Sequence, residues 1–117
     1  MKRDALIFHA TRTFTPEEQK QRPLDIAGWV KKVTELGITL DPRNFGDTLA
    51  AFTLEDSQVV SRNGSSDPKP ATIVFFDSPS SKQAVDIARI HPGLHYGVSV
   101  EVREWTSPRE LAAAESR

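Results

Sequence analysis

The sequence predicts a small α+β sandwich, with helices laid against one sheet. Three observations carry the prediction. An apolar segment, Ala5 to Ala10, precedes an amphipathic stretch that begins at Leu24. A second apolar segment, Ala71 to Phe76, precedes a capped helical stretch of the form SPSSKQAVDIARI. The chain then closes on a strictly alternating segment, VSVEVREW. Period-two patterning marks strands and 3.6-residue patterning marks helices, so the chain alternates between the two.

Ala5 to Ala10 is apolar on both faces, as a central strand requires. Ala5, Ile7 and His9 share one face; Leu6, Phe8 and Ala10 share the other. Thr15-Pro16-Glu17-Glu18 reads as a helix start: a capping hydroxyl, a proline in the first turn, and acids at the positive end of the dipole. Pro23 is expected to interrupt before the main helix. From there Ile26, Trp29, Val30, Val33 and Leu36 form one stripe, and Gly37 closes it. Residues 38–47 contain Asp41-Pro42 and read as a loop or an irregular strand lead-in. Thr48 to Leu54 alternates and is expected to be the second strand. Gln58 to Ser61 is a short strand candidate, and Asn63-Gly64 is a tight-turn signal. Residues 65–70 carry two prolines and read as a surface loop. Ala71 to Phe76 is the third strand, expected to lie inside the sheet. Ser80 with Gln83 fits a capping box, with Ala84, Ile87, Ala88 and His91 toward the core, and Pro92-Gly93 ends the helix. In the last strand Val98, Val100 and Val102 face one way, and Ser99, Glu101 and Arg103 the other. Residues 1–106 read as a single domain and 107–117 as a tail, helical or frayed.

The order β-α-β-(β)-β-α-β is the ferredoxin-like βαββαβ arrangement with an extra hairpin strand. In that arrangement both helices cover one sheet face and leave the other bare. A bare apolar face marks an interface, and a second copy of the chain is its simplest cover. A homodimer is therefore expected.

Composition narrows the function classes. The 117 residues suit one domain. There is no cysteine, which excludes disulfides, thiolate metal sites and cysteine nucleophiles and agrees with a reducing cytoplasm. Fifteen basic residues face sixteen acidic ones, with no basic stripe, so nucleic acid is not an expected partner. No apolar run approaches the roughly 20 residues that a membrane span needs, and no secretory signal is evident. A cytoplasmic protein with no membrane partner is the expectation.

From Trp29 to Trp105 the chain resembles the YCII-related, DGPF-type family. The resemblance rests on WVKKVTELG, GDTLAAFTL with the hairpin VVSRNG, FFDSPSSKQAVDIARIHPGL and VSVEVREW. Ala84, Ala88 and Pro92 keep the family's i, i+4, i+8 spacing, and Glu101-Val102-Arg103 stand in its closing strand. The resemblance implies a dimeric α+β barrel in which two ferredoxin-like sheets face each other. Two departures matter. The name motif of the DGPF proteins is replaced here by Gly64 to Pro70. The histidine that some members pair with an acid around the first helix falls near Ile26, with the acid near Glu35, so that catalytic pair is not carried over.

The candidate site residues follow from type and position. His9, as an imidazole, is suited to act as acid, base or ligand anchor; the other reading is a hydrogen-bonded histidine at a strand end. Asp47, or Asp41, is its expected polar partner. Arg43 is the expected anchor for a polar or anionic molecule. Trp29 either walls a ligand pocket or fills the core. His95 enters the last strand at the mouth of a cleft. His91 is expected to cap its helix as a cation. His91 and His95 are four apart, but Pro92-Gly93 breaks the helix that a metal pair needs, so no metal and no cofactor are expected. Two function classes stand side by side: a dimeric binder of a small polar or anionic molecule, with acid/base chemistry at His9 and Asp47, and a non-catalytic dimeric interaction module.

Overall fold

The computed structural model describes residues 1–46, 49–61 and 69–115. The chain is mixed α+β. Strand β1 (Lys2–Ala10) is followed by helix α1 (Pro16–Glu35), β2 (Asp41–Asn44), β3 (Phe52–Glu55), β4 (Gln58–Ser61), β5 (Lys69–Ser78), α2 (Ser81–Arg89), a 3₁₀ turn (Pro92–Tyr96), β6 (Val98–Glu104) and α3 (Pro108–Glu115). Four strands form an antiparallel sheet in the order β2-β5-β1-β6, and β3-β4 form a separate two-stranded hairpin.

Helices α1 and α2 lie on one side of the sheet. Leu6 and Phe8 from β1, Val74 and Phe76 from β5, and Val98 from β6 pack with Trp29 and Val33 of α1 and Ala84, Ile87 and Ala88 of α2. The alternation in each strand therefore sends one set of residues to this core and the other to the opposite face. The Trp29 ring N–H donates to the Ile87 carbonyl at 2.8 Å, tying α1 to α2 inside the core.

Local chemistry sets the boundaries. Thr15 and Glu18 form a complete capping box at the start of α1. The end of α1 is a Schellman motif: Gly37 N–H bonds the Thr34 carbonyl at 2.9 Å, and Ile38 N–H bonds the Val33 carbonyl at 3.3 Å. Val33 and Ile38 are both buried, which supplies the apolar contact of that motif, and Gly37 takes the left-handed φ of 86°. Ser80 caps α2 by accepting from Gln83 N–H at 3.2 Å.

Three expectations are corrected. Pro23 does not interrupt α1, which runs through it. An interior proline costs about 3 kcal/mol, and anchors on both sides hold the helix: the capping box, Arg22 stacked on Phe14 at 3.8 Å, and Trp29 bonded to Ile87. The second strand of the main sheet is Asp41–Asn44, inside the stretch expected to be a loop or an irregular lead-in to a strand at Thr48 to Leu54. It is a four-residue edge strand with every side chain exposed, so it carries no alternation, and an edge tolerates Pro42. Phe52 to Leu54, expected in the sheet, instead build the hairpin. Its turn lies at Asp56-Ser57, both left-handed (φ 48° and 66°) as a two-residue type I′ loop requires. Asn63-Gly64 falls outside the described residues.

Two glycines give opposite expectations. Gly97 takes φ 75°, and a Cβ there would meet Arg12 Nε at 2.7 Å. Gly28 lies inside α1 with open space around it. Gly97→Ala should lower the urea-unfolding free energy by about 1–3 kcal/mol. Gly28→Ala should raise it by about 0.5–1 kcal/mol.

Candidate functional site

The sheet face away from the helices carries an ordered arrangement of side chains. Strand register places Arg43, Ile73, Ile7 and Glu101 in one cross-strand row. The next row is Asp41, Phe75, Ala5 and Arg103. Each row has an apolar centre and charged ends, and the signs reverse from one row to the next. On the β2 edge Arg43 pairs with Asp41 at 3.3 Å, and on the β6 edge Arg103 pairs with Glu101. Ala5 is only 4% exposed although it faces away from α1 and α2. Phe75 and Trp105 meet edge to face at 5.5 Å beside it, and Arg3 stacks on Trp105 at 5.3 Å while pairing with Glu110 of α3.

His9 lies on this face, half-buried, opposite Ser99. The register of β5 against β1 slips beside it, between Phe8 and His9, where Pro70 replaces Ala71 as the partner. The slip is a β-bulge, which lets β5 carry a proline without a ladder donor. Glu101 is the carboxylate nearest in register. Its pKa is lowered, first by the Arg103 hydrogen bond and also by the charge of His9.

Two of the expected site residues, His9 and Arg43, therefore share the open face. They sit two strands apart, a backbone separation of roughly 10–12 Å. Asp47 lies outside the described residues. Trp29 lies in the core, its ring edge-on to His91 at 4.6 Å. His95 is exposed on the 3₁₀ turn, and its charge helps hold the Asp25 carboxyl down, after the Tyr96 and Gln21 hydrogen bonds. A shallow cleft of about 260 Å³ between the start of β1 and α3 is lined by Arg3, Trp105 and Glu110. It is far from His9: six residues along one strand span roughly 20 Å.

His91 is not the cationic cap expected of it. α2 ends before it, and His91 caps the following 3₁₀ turn, its Nδ1 accepting from Gly93 N–H at 2.9 Å. The ring is 6% exposed, between Trp29 and Phe8. Burial first, and the charge of Arg22 second, lower its pKa to about 4. The imidazole is neutral because the proton has neither water nor a counter-charge there. Among the described residues no three His, Asp or Glu side chains converge as a metal site would require.

One polar network escaped the sequence reading. Arg12 grips Glu18 through two bonds of 2.8 Å, and Tyr96 donates its hydroxyl to Asp25, which also accepts from Gln21 at 2.8 Å. The Glu18 carboxyl is lowered to about 2, chiefly by Arg12 and then by the Thr15 N–H. Thr15 and Glu18 were legible as a helix start, but Arg12 and Tyr96 reach α1 through the tertiary fold. The network ties the 3₁₀ turn to α1.

Comparison with known proteins finds no family model and no curated protein that matches the chain. Among the described residues no helix is long and apolar enough to cross a membrane.

The buried imidazole has a pH signature. Its folded pKa lies below the unfolded value of about 6.5, so the unfolded chain takes up the proton first as pH falls. Stability should be level above about pH 6.5 and decline toward pH 4, by at most about 3 kcal/mol and less where water reaches the ring. The Glu18 contribution is present above its ordinary value of 4.5 and is lost in a lower window, as pH falls toward 2. His91→Asn keeps an acceptor for Gly93 N–H. Chemical denaturation between pH 7 and 4 should show the upper decline in the wild type and its absence in the variant.

Proposed function

We propose that the protein is a homodimeric, YCII-like α+β barrel that binds a small polar or anionic molecule between paired sheets. On this reading β1, α1, β2, β5, α2 and β6 form the ferredoxin-like unit, with β3-β4 as an inserted hairpin. The order β2-β5-β1-β6 supports it, because the first and third sheet strands are central and the second and fourth are edges. The observation that carries the pairing is the alternation of charge across the two open-face rows. A two-fold axis parallel to the strands sets Arg43 opposite the partner's Glu101 and Asp41 opposite the partner's Arg103. Ile7 then meets the partner's Ile73, and Phe75 the partner's Ala5, at the roughly 10 Å spacing of packed sheets.

His9 is the acid or base in this reading. Glu101 takes the part of its polar partner, and Arg43 anchors an anionic group. Trp29, committed to the core, and His95, on a turn packed against α1, have no part in the chemistry. The non-catalytic module remains the second reading, favoured by one observation: His9 and Arg43 are separated by β5 rather than gathered in a pocket.

Two measurements decide. Exchanging Glu101→Arg together with Arg103→Glu keeps the in-strand pair but sets like charges against the partner's Arg43 and Asp41. Sedimentation should show the dimer dissociation constant rise at least tenfold, since apposed like charges cost several kcal/mol across an interface. Adding Asp41→Arg with Arg43→Asp should restore it. An intact dimer after the first exchange would put the axis across the strands. For the ligand, a metabolite thermal-shift screen is run on wild type and His9→Ala. A ligand at 100 times its dissociation constant adds about 2.7 kcal/mol. A shift present in the wild type and lost in His9→Ala supports the binding site, and a blank screen supports the module.

A further inference from the structure

We propose that the β3-β4 hairpin is a dimerisation arm, and that its apolar face packs on a second copy beside that copy's His9. The inference rests on the homodimer reading above and adds the element that completes it. Register puts Phe52, Leu54 and Val59 on one face of the hairpin, with Leu54 directly opposite Val59. These side chains are 65%, 68% and 72% exposed. The other face, with Thr53 and Val60, is half-buried. Among the described residues β3 and β4 pack extensively only on each other. A lone two-stranded hairpin is marginal in water, so an apolar face left bare on one implies a surface that covers it.

The chain is more open than a compact monomer of its length. Its radius of gyration is 17.2 Å, where a compact chain of this length has roughly 13 Å. Its accessible surface is 8780 Å², where a folded monomer of this mass exposes roughly 6300 Å². A stable interface hides about 800 Å² per partner, and obligate dimers hide more. The open sheet face is four strands wide, roughly 20 by 20 Å. The arm adds its apolar face to that of the sheet on the same molecule.

Connectivity places the arm. It joins the Asn44 end of β2 to the Lys69 end of β5. Those ends lie where Asn44 pairs with Thr72 and where His9 pairs with Pro70. The arm therefore leaves the rim of the open face at the His9 end. A two-fold axis parallel to the strands keeps that end of both copies together, so each arm emerges beside the partner's His9. A second copy brings both apolar surfaces, the arm and the sheet, to the same interface.

The test uses the full chain with Phe52→Ser, Leu54→Ser and Val59→Ser combined. All three positions are exposed, so circular dichroism should be unchanged. The dimer dissociation constant by sedimentation should rise at least tenfold. In parallel, a photo-crosslinker replaces Leu54 in unlabelled chain, mixed with isotope-labelled wild type. Light-to-heavy crosslinks to the peptide containing residues 3–10 are the expected result. A wild-type dimer whose affinity the triple variant leaves unchanged, or crosslinks confined within one chain, overturns the arm and leaves the sheet pairing standing. A wild type that is monomeric at 100 μM by the same measurement overturns both.

Discussion

The constraint on which the rest of this structure depends is that β1 is central and two-faced while α1 and α2 cover only one side. Leu6 and Phe8 point to α1 and α2 and are buried by them. Ala5, Ile7 and His9 point the other way, and the chain covers them only in part. Phe75 and Trp105 shield Ala5, which is small enough to disappear beneath them. Ile7, with a larger side chain and no aromatic partner beside it, stays half-buried. An apolar strand with one uncovered face is an aggregation hazard. In this sheet the hazard is bounded by ion pairs on both edges, Arg43–Asp41 and Glu101–Arg103.

The two sides of the sheet treat charge differently. On the helix side, polar groups are either neutral or held by specific partners. His91 is kept uncharged between Phe8 and Trp29, with its acceptor nitrogen used by Gly93 N–H. Trp29 spends its single donor on Ile87. On the open side, charges are exposed and paired along their own strand. Exposed pairs add little stability. Their significance is geometric: an alternating pattern across four strands is complementary to its own rotated copy, and a random set of surface charges is not.

Much of the fold was legible in the sequence because it is written locally. The Thr15–Glu18 box, Gly37 and Ser80 each mark a boundary by backbone chemistry that needs no tertiary contact. β5 was legible from ATIVFF, since only an interior strand tolerates such a run. β2 was not, because DPRN has no apolar face and reads as a turn; it is a strand only because β5 offers it an edge. Pro23 misled for the opposite reason: local propensity breaks a helix that tertiary anchors keep whole. The site was legible only as residue types. His9 and Arg43 were singled out and share a face. That they lie on one sheet, with β5 between them, depends on the pairing of β2 with β5, which the sequence does not announce. The Arg12–Glu18 and Tyr96–Asp25 pairs were invisible, being contacts between distant segments.

The hairpin ties these threads together. Strands β2 and β5 are antiparallel neighbours, which a short link is enough to join. Here that link is more than twenty residues long, from Asn44 to Lys69, and within it stand apolar side chains that the rest of the chain leaves exposed. A loop that long inside a small domain is uncommon unless it has work to do. The insertion leaves the sheet beside the bulge at His9, the one place where the register of β1 with β5 slips. The bulge lets Pro70 start β5 at the foot of the hairpin without costing the sheet a donor. The same local irregularity therefore serves two elements: it presents His9 at the end of β1, and it lies where the chain segment with the exposed apolar hairpin face joins the sheet.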